Sequence, residues 1–198
     1  MQNMMKKVAI TKYPVNDLIK NRWSPRAFLD HKIREEIIFT LFEAASWAAS
    51  SRNEQPWRFI YGIKDEGQNY KKIYDTLVHW NQVWAKSAPL LIMAVTKKNS
   101  EYHNEDNIFA YYDLGQAVAN LVIQATDMDL HCHQMGGFDK VKARDTFHLP
   151  SNYTAVTAIA IGYLGNPETL PDDMRELEGK VRSRFDIDRI AFKEDFRP

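Results

Sequence analysis

Cys132 is the single cysteine among 198 residues, so no intramolecular disulfide can form and a cysteine-based zinc cluster has no ligand set. An excess of charge is missing too, because 26 Lys and Arg balance 26 Asp and Glu. Without a net field to draw nucleic acid or a membrane surface, any basic site must be local. No apolar run approaches the roughly 20 residues that span a bilayer. Residues 1–10 carry lysines but neither the apolar core nor the cleavage site of a signal peptide. These absences lead to the expectation of a soluble, cytoplasmic protein with no nucleic-acid or membrane partner. Internal repeats and low-complexity linkers are absent as well.

What is present fits one globular domain over residues 1–198, with 44% of them hydrophobic. Ile37, Leu41, Ala45 and Ala48 recur at helical spacing, predicting an amphipathic helix from Asp30 or His31 to about Ala48. Trp57, Phe59 and Tyr61 alternate with Arg58, Ile60 and Gly62 in a strand-like run. Pro56 cannot continue a helix and biases Gln55 towards extended backbone. Between helix and strand lies a polar corner of Ser50, Ser51, Asn53 and Gln55, amides and hydroxyls able to read the edge of a flat heterocycle. Capped helix ends gather the same residues for backbone reasons alone.

Further along, Asn16 caps a short helix to Lys20, and residues 70–78 carry a second helical pattern. The unbroken apolar run at residues 90–95 reads as a covered central strand, and residues 108–127 as the longest helix, apolar over a wide face. A strand begins near His131, and residues 154–163 form another, with Val156, Ala158, Ala160 and Gly162 on one face. The sum is an α+β layer architecture, a central sheet covered by helices.

Candidate chemistry is sparse and local. Arg22, Ser24 and Arg26 occupy alternate positions, so in extended backbone two guanidiniums and a hydroxyl project one way, a set suited to a phosphate dianion. Lys180, Arg182 and Arg184 repeat that basic alternation near the C-terminus. Gly136 and Gly137 permit positive φ and close approach of backbone N–H groups to a ligand; the plainer reading is a turn. Glu101, His103, Glu105 and Asp106 lack a fixed metal-ligand spacing and read as a solvated loop, while Cys132 reads as a small buried residue.

Taken together, residues 22–28 (RWSPRAF), 49–57 (ASSRNEQPW), 135–139 (MGGFD) and 182–184 (RSR) resemble the FMN-dependent nitroreductase family, in order and across nearly the whole chain. The resemblance implies that family's fold, with a mostly antiparallel central sheet covered by helices and a homodimer holding FMN at its subunit boundary. By the same resemblance Arg22, Trp23, Ser24, Arg26, Arg182 and Arg184 hold the phosphate and ribityl chain. Ala49, Ser50, Ser51, Asn53 and Gln55 reach the flavin from the other subunit. Gly136 and Gly137 lie beside the ring, and Asn81 contacts its pyrimidine end.

Three positions depart from the family pattern. Ala49 stands where proline is common, Gly136 where some members have an acidic residue, and Trp84 where some carry a basic residue near the flavin edge. No side chain is expected to be catalytic in its own right, because the flavin is the redox centre. The implied activity is ping-pong reduction of nitroaromatic or quinone-like acceptors with NADH or NADPH as co-substrate. The alternatives are a non-catalytic FMN-binding or sensor protein and a related flavin-dependent dehalogenase or desaturase.

Overall fold

The computed structural model describes residues 7–102 and 105–196. In chain order the elements are α1 (Asp17–Asn21), α2 (Glu35–Ser46), β1 (Trp57–Ile63), α3 (Asn69–Thr76), α4 (His79–Ala85), β2 (Leu90–Lys97), α5 (Ala110–Asp127), β3 (Leu130–Met135), α6 (Lys140–Thr146), β4 (Tyr153–Tyr163) and α7 (Asp172–Gly179). The four strands form one sheet in the order β1-β2-β4-β3, with every pairing antiparallel.

β2 shows why this chain builds three layers. Leu90, Ile92 and Ala94 join a core with α2 and α5 on one face, while Leu91, Met93 and Val95 join a second core with α3, α4 and Met174 of α7 on the other. A strand covered on both faces needs apolar residues at every position rather than at alternate ones, which is what the run at 90–95 supplies. Each such Leu or Ile contributes on the order of 1.5–3 kcal/mol by leaving water.

The strand ends, the Asn16 cap and the long helix follow the sequence patterns. Asn16 accepts from Leu18 N through its side chain. Four expectations need correction. α2 begins at Glu35, because Leu29 N–H still bonds to Tyr163 and the Asp30 carboxylate pairs with Lys64 before the helix can start. α4 has no counterpart in the sequence reading.

Gln55 lies at φ 46 in the left-handed region, not in extended backbone. There its N–H donates to Ser50 Oγ at 3.0 Å and its amide to the Asn53 carbonyl at 3.2 Å, bonds that compensate the conformation. In β4 the register shifts opposite Ala94 and Val95, so Val156 packs with Ile159 and Ile161 instead of sharing the face of Ala158 and Ala160. One extra residue in a strand reverses alternation beyond it.

Candidate functional site

Residues 22–26 leave α1 in a loop that runs beside β3. Trp23 meets His131 edge to face at 5.9 Å, and the Pro25 carbonyl accepts from His133 Nδ1 at 2.8 Å. The chain after α7 returns to the same place. Together they line a cleft of about 240 Å³ walled by Lys7, Arg22, Trp23, Ser24, Arg26, Glu178, Lys180, Val181, Arg182 and Arg184. The alternating set predicted at 22, 24 and 26 and the basic pair at 182 and 184 therefore converge, although more than 150 residues separate them in sequence.

The electrostatics are one-sided. Burial lowers the affinity of Arg22 for its proton, and the nearby Arg184 lowers it further. Burial does the same to Arg182, followed by repulsion from Arg22 and Arg184. Lys7 is likewise lowered, first by burial, with Glu178 opposing. Three guanidiniums held close enough to repel one another gather donors suited to charge-assisted hydrogen bonds with an anion.

Glu178 is the one carboxylate among the described residues of the cleft wall. It accepts from Arg26 N at 2.8 Å and faces the Arg26 guanidinium at 3.6 Å. Arg26 Nε and Glu178 Oε2 are both buried without a hydrogen-bond partner among the described residues. Arg22 Nη1 lies 3.3 Å from Ser24 Oγ. Arg182 has a second duty, since its Nη1 ties the carbonyls of Lys7 and Lys20 at 2.7 and 2.6 Å. Arg184 bonds only to the adjacent Ser183 carbonyl among the hydrogen bonds found, and it is exposed.

A second group forms where β3 ends. Asn81 Nδ2 donates to the Gly137 carbonyl at 2.9 Å, and Val78 N–H donates to the same oxygen at 3.1 Å. Neither Gly136 nor Gly137 uses the positive φ that glycine permits; Gly67 is the glycine that does. Space explains them instead. A methyl on Gly137 would stand 2.8 Å from Asn81 Nδ2, whereas one on Gly136 would meet nothing within 4 Å. Gly136 thus presents bare backbone to an open region.

The corner after α2 forms a third group, outside the cleft wall. Ser51 N–H donates to the buried Asp113 carboxylate at 3.1 Å, and Gln116 Nε2 donates to the Ala49 carbonyl at 3.3 Å. Arg52 and Asn53 are left-handed at φ 52 and 57. Within one chain, then, the corner is braced on α5 and is not brought to the arginines.

Trp84, expected near a flavin edge, is 1% exposed and lies between Phe28 and His133 in the core. Cys132 is buried, and burial pushes its thiol up to about 12, as an inert packing residue requires. His103 lies outside the described residues, and among those described no group of three or more His, Cys, Asp or Glu is placed to hold a metal. No helix of the described residues is long and apolar enough to cross a membrane. Sequence reasoning missed His133 and Glu178, which hold the 22–26 loop. Nothing in their spacing marks either one.

A twice-covered antiparallel sheet with a cationic cleft at its β3 side is an α+β architecture. The sequence model described as "Nitroreductase family" matches residues 19–75 and 62–163, and the chain belongs to that family. It is similar to a solved structure described as an oxidoreductase containing FMN, with 33% identity, TM-score 0.90, and coverage of 95% of this chain and 96% of that one. A nitroreductase family protein from Clostridium difficile shares the fold at TM-score 0.70 and 22% identity, covering 90% and 97% of the two chains. A protein of Methanothermobacter thermautotrophicus, provisionally named NADH dehydrogenase/NAD(P)H nitroreductase, is 28% identical over 186 residues, 91% of this chain and 87% of its own length.

Proposed function

We propose that this chain is an FMN-dependent oxidoreductase, a single FMN-binding domain working as a homodimer. It takes reducing equivalents from NADH or NADPH and delivers them to a nitroaromatic or quinone-like acceptor in a ping-pong cycle. The observation that carries the reading is the cleft in which Arg22, Arg182 and Arg184 repel one another around Ser24 while Glu178 is turned to Arg26. That donor set fits a phosphate monoester. Gly136 lies three residues beyond His133, about 10 Å along the strand direction.

FMN, when bound, supplies the two-electron chemistry. The chain's own residues bind and orient. Arg22, Ser24, Arg26 and Arg184 take the phosphate, with Arg182 setting the segment that carries the last of them. Asn81, held on the Gly137 carbonyl, would contact the polar end of the ring, and Gly136 would let the ring approach without a side chain between.

A second copy completes this arrangement. The corner at residues 49–55, braced on α5, supplies its amides and hydroxyls to the partner's flavin. Trp47, Ile108 and Tyr112, between 68% and 81% exposed beside or on α5, are the apolar surface such a pairing would cover.

The test is an absorbance spectrum of the purified protein with identification of any released flavin, followed by anaerobic addition of NADH and of NADPH. A yellow protein that releases FMN and bleaches supports the reading. Bound FMN that stays oxidised favours a binding or sensor role, and a chain that cannot be loaded with FMN overturns the proposal.

A further inference from the structure

The peptide unit between Pro25 and Arg26 is gripped at both of its polar atoms. Its carbonyl accepts from His133 Nδ1 at 2.8 Å, and its N–H donates to Glu178 Oε1 at 2.8 Å. One grip comes from β3 and the other from the last turn of α7. The same carboxylate oxygen also lies 3.4 Å from Ala27 N, and Glu178 is 1% exposed. Pro25 adds a third restraint, since its ring fixes φ. The residues next to this peptide are the ones that wall the cleft: Ser24 before it, Arg26 within it, and Arg22 in contact with the Ser24 hydroxyl.

We infer that His133 and Glu178 are positioning residues of the anion cleft, holding the Pro25–Arg26 peptide so that Ser24, Arg22 and Arg26 stand in their binding geometry before the phosphate arrives. The inference rests on the FMN reading and adds to it two residues that act through the Pro25–Arg26 peptide. Partners that orient the ligating groups of a site preserve affinity because ordering need not be repeated at each binding event. Burial holds His133 down to about 4, so near neutral pH the ring is uncharged and donates one N–H. A neutral ring beside Arg26 adds no cation to a cleft already crowded with them. Glu178 lies 3.6 Å from the Arg26 guanidinium and offsets one of the cationic charges gathered at the cleft.

The test separates phosphate contacts from fold. Flavin-free wild-type protein and variants are titrated with FMN and with riboflavin, which lacks the phosphate, following flavin fluorescence. His133→Leu keeps an apolar body against Trp84 but cannot donate. It should lose about tenfold in FMN affinity, with riboflavin affinity unchanged within about twofold. His133→Asn, which places an amide N–H near the position of Nδ1, should retain the preference.

An unchanged ratio in His133→Leu, an equal loss for both flavins, or a loss in His133→Asn as large as in His133→Leu would overturn the inference. If His133→Leu does not fold, Pro25→Ala decides: restored φ freedom should reduce the FMN preference about threefold, and no reduction overturns it. A wild-type chain that binds FMN no better than riboflavin would instead overturn the functional reading on which this one rests.

Discussion

Asn81 Nδ2 and the Gly137 carbonyl meet at 2.9 Å, joining the first turn of α4 to the chain that leaves β3. The bond forms because Gly137 has no side chain there. Gly137→Ala would push a methyl to 2.8 Å from Asn81 Nδ2 and 3.0 Å from Val78 Cγ2. Thermal unfolding of the flavin-free variant should show a loss of about 1–3 kcal/mol. Gly136→Ala meets open space, so its flavin-free stability should match or slightly exceed wild type. Its FMN affinity should fall, because the methyl fills the face offered to the ring. Equal stabilities for the two variants would refute the packing argument.

The two C-terminal arginines should separate cleanly. Arg182 bonds to the carbonyls of Lys7 and Lys20, so Arg182→Ala should lower stability by about 2 kcal/mol, measured by urea unfolding without flavin. Arg184 is exposed and, among the described residues, holds no distant one through a hydrogen bond. Arg184→Ala should stay within about 0.5 kcal/mol of wild type in stability while losing FMN affinity and some of its salt dependence. A stable Arg184→Ala protein with full FMN affinity would sink the phosphate assignment.

Stability should fall on the acid side through the buried histidines. His133 ordinarily titrates near 6.5 and in the fold is pushed down to about 4, by burial first; burial lowers His131 as well. Between those two values the unfolded chain binds a proton that the folded ring does not. The contribution is therefore fully present above about 6.5 and lost as pH drops towards 4. At pH 5 the His133 loss is on the order of 2 kcal/mol relative to pH 7. Unfolding of wild type and His133→Asn at both pH values checks it, and identical pH slopes would count against a neutral buried ring.

The sequence made the scaffold legible where one residue pattern answers one physical demand. The doubly covered β2 needs an unbroken apolar run, and the long α5 needs its wide apolar face; both are written locally. The basic segments at 22–26 and 182–184 each read alone as a possible solvated loop; the fold brings them to one cleft, and Arg182 there has a structural use on the Lys7 and Lys20 carbonyls. Other features depended on partners distant in sequence. The start of α2 is set by bonds to β4 and Lys64, and the side on which Val156 lies by a register shift opposite Ala94 and Val95. Short α4 has no side-chain N-cap to announce it. His133 and Glu178 act through one peptide bond more than 100 residues away, a relation that no spacing encodes.

The corner at residues 50–55 keeps Arg52, Asn53 and Gln55 left-handed, at φ 52, 57 and 46. Such conformations cost on the order of 1 kcal/mol each and persist only where surrounding contacts hold them. Asp113 is the central contact, a buried carboxylate accepting from Ser51 N–H. Glu54 adds a hydrogen bond with the Ser100 hydroxyl, and Gln116 holds the Ala49 carbonyl. Asp113→Leu should leave the Ser51 N–H unsatisfied, costing about 1–3 kcal/mol, and loosen the corner. Trypsin should then cut after Arg52 faster than in wild type.

Asp113→Asn retains an acceptor and should resist trypsin as wild type does. Burial also holds the Asp113 carboxyl above its ordinary range, against the opposing bond from Ser51. Ionising it therefore costs stability as pH rises through the folded value, so Asp113→Asn should be at least as stable as wild type at pH 8. If the corner serves the partner's flavin, Asp113→Leu will weaken FMN binding in the dimer although Asp113 lies outside the phosphate cleft. An Asp113→Leu protein with wild-type cleavage at Arg52 and wild-type FMN affinity would show that the corner neither needs this brace nor reaches the flavin.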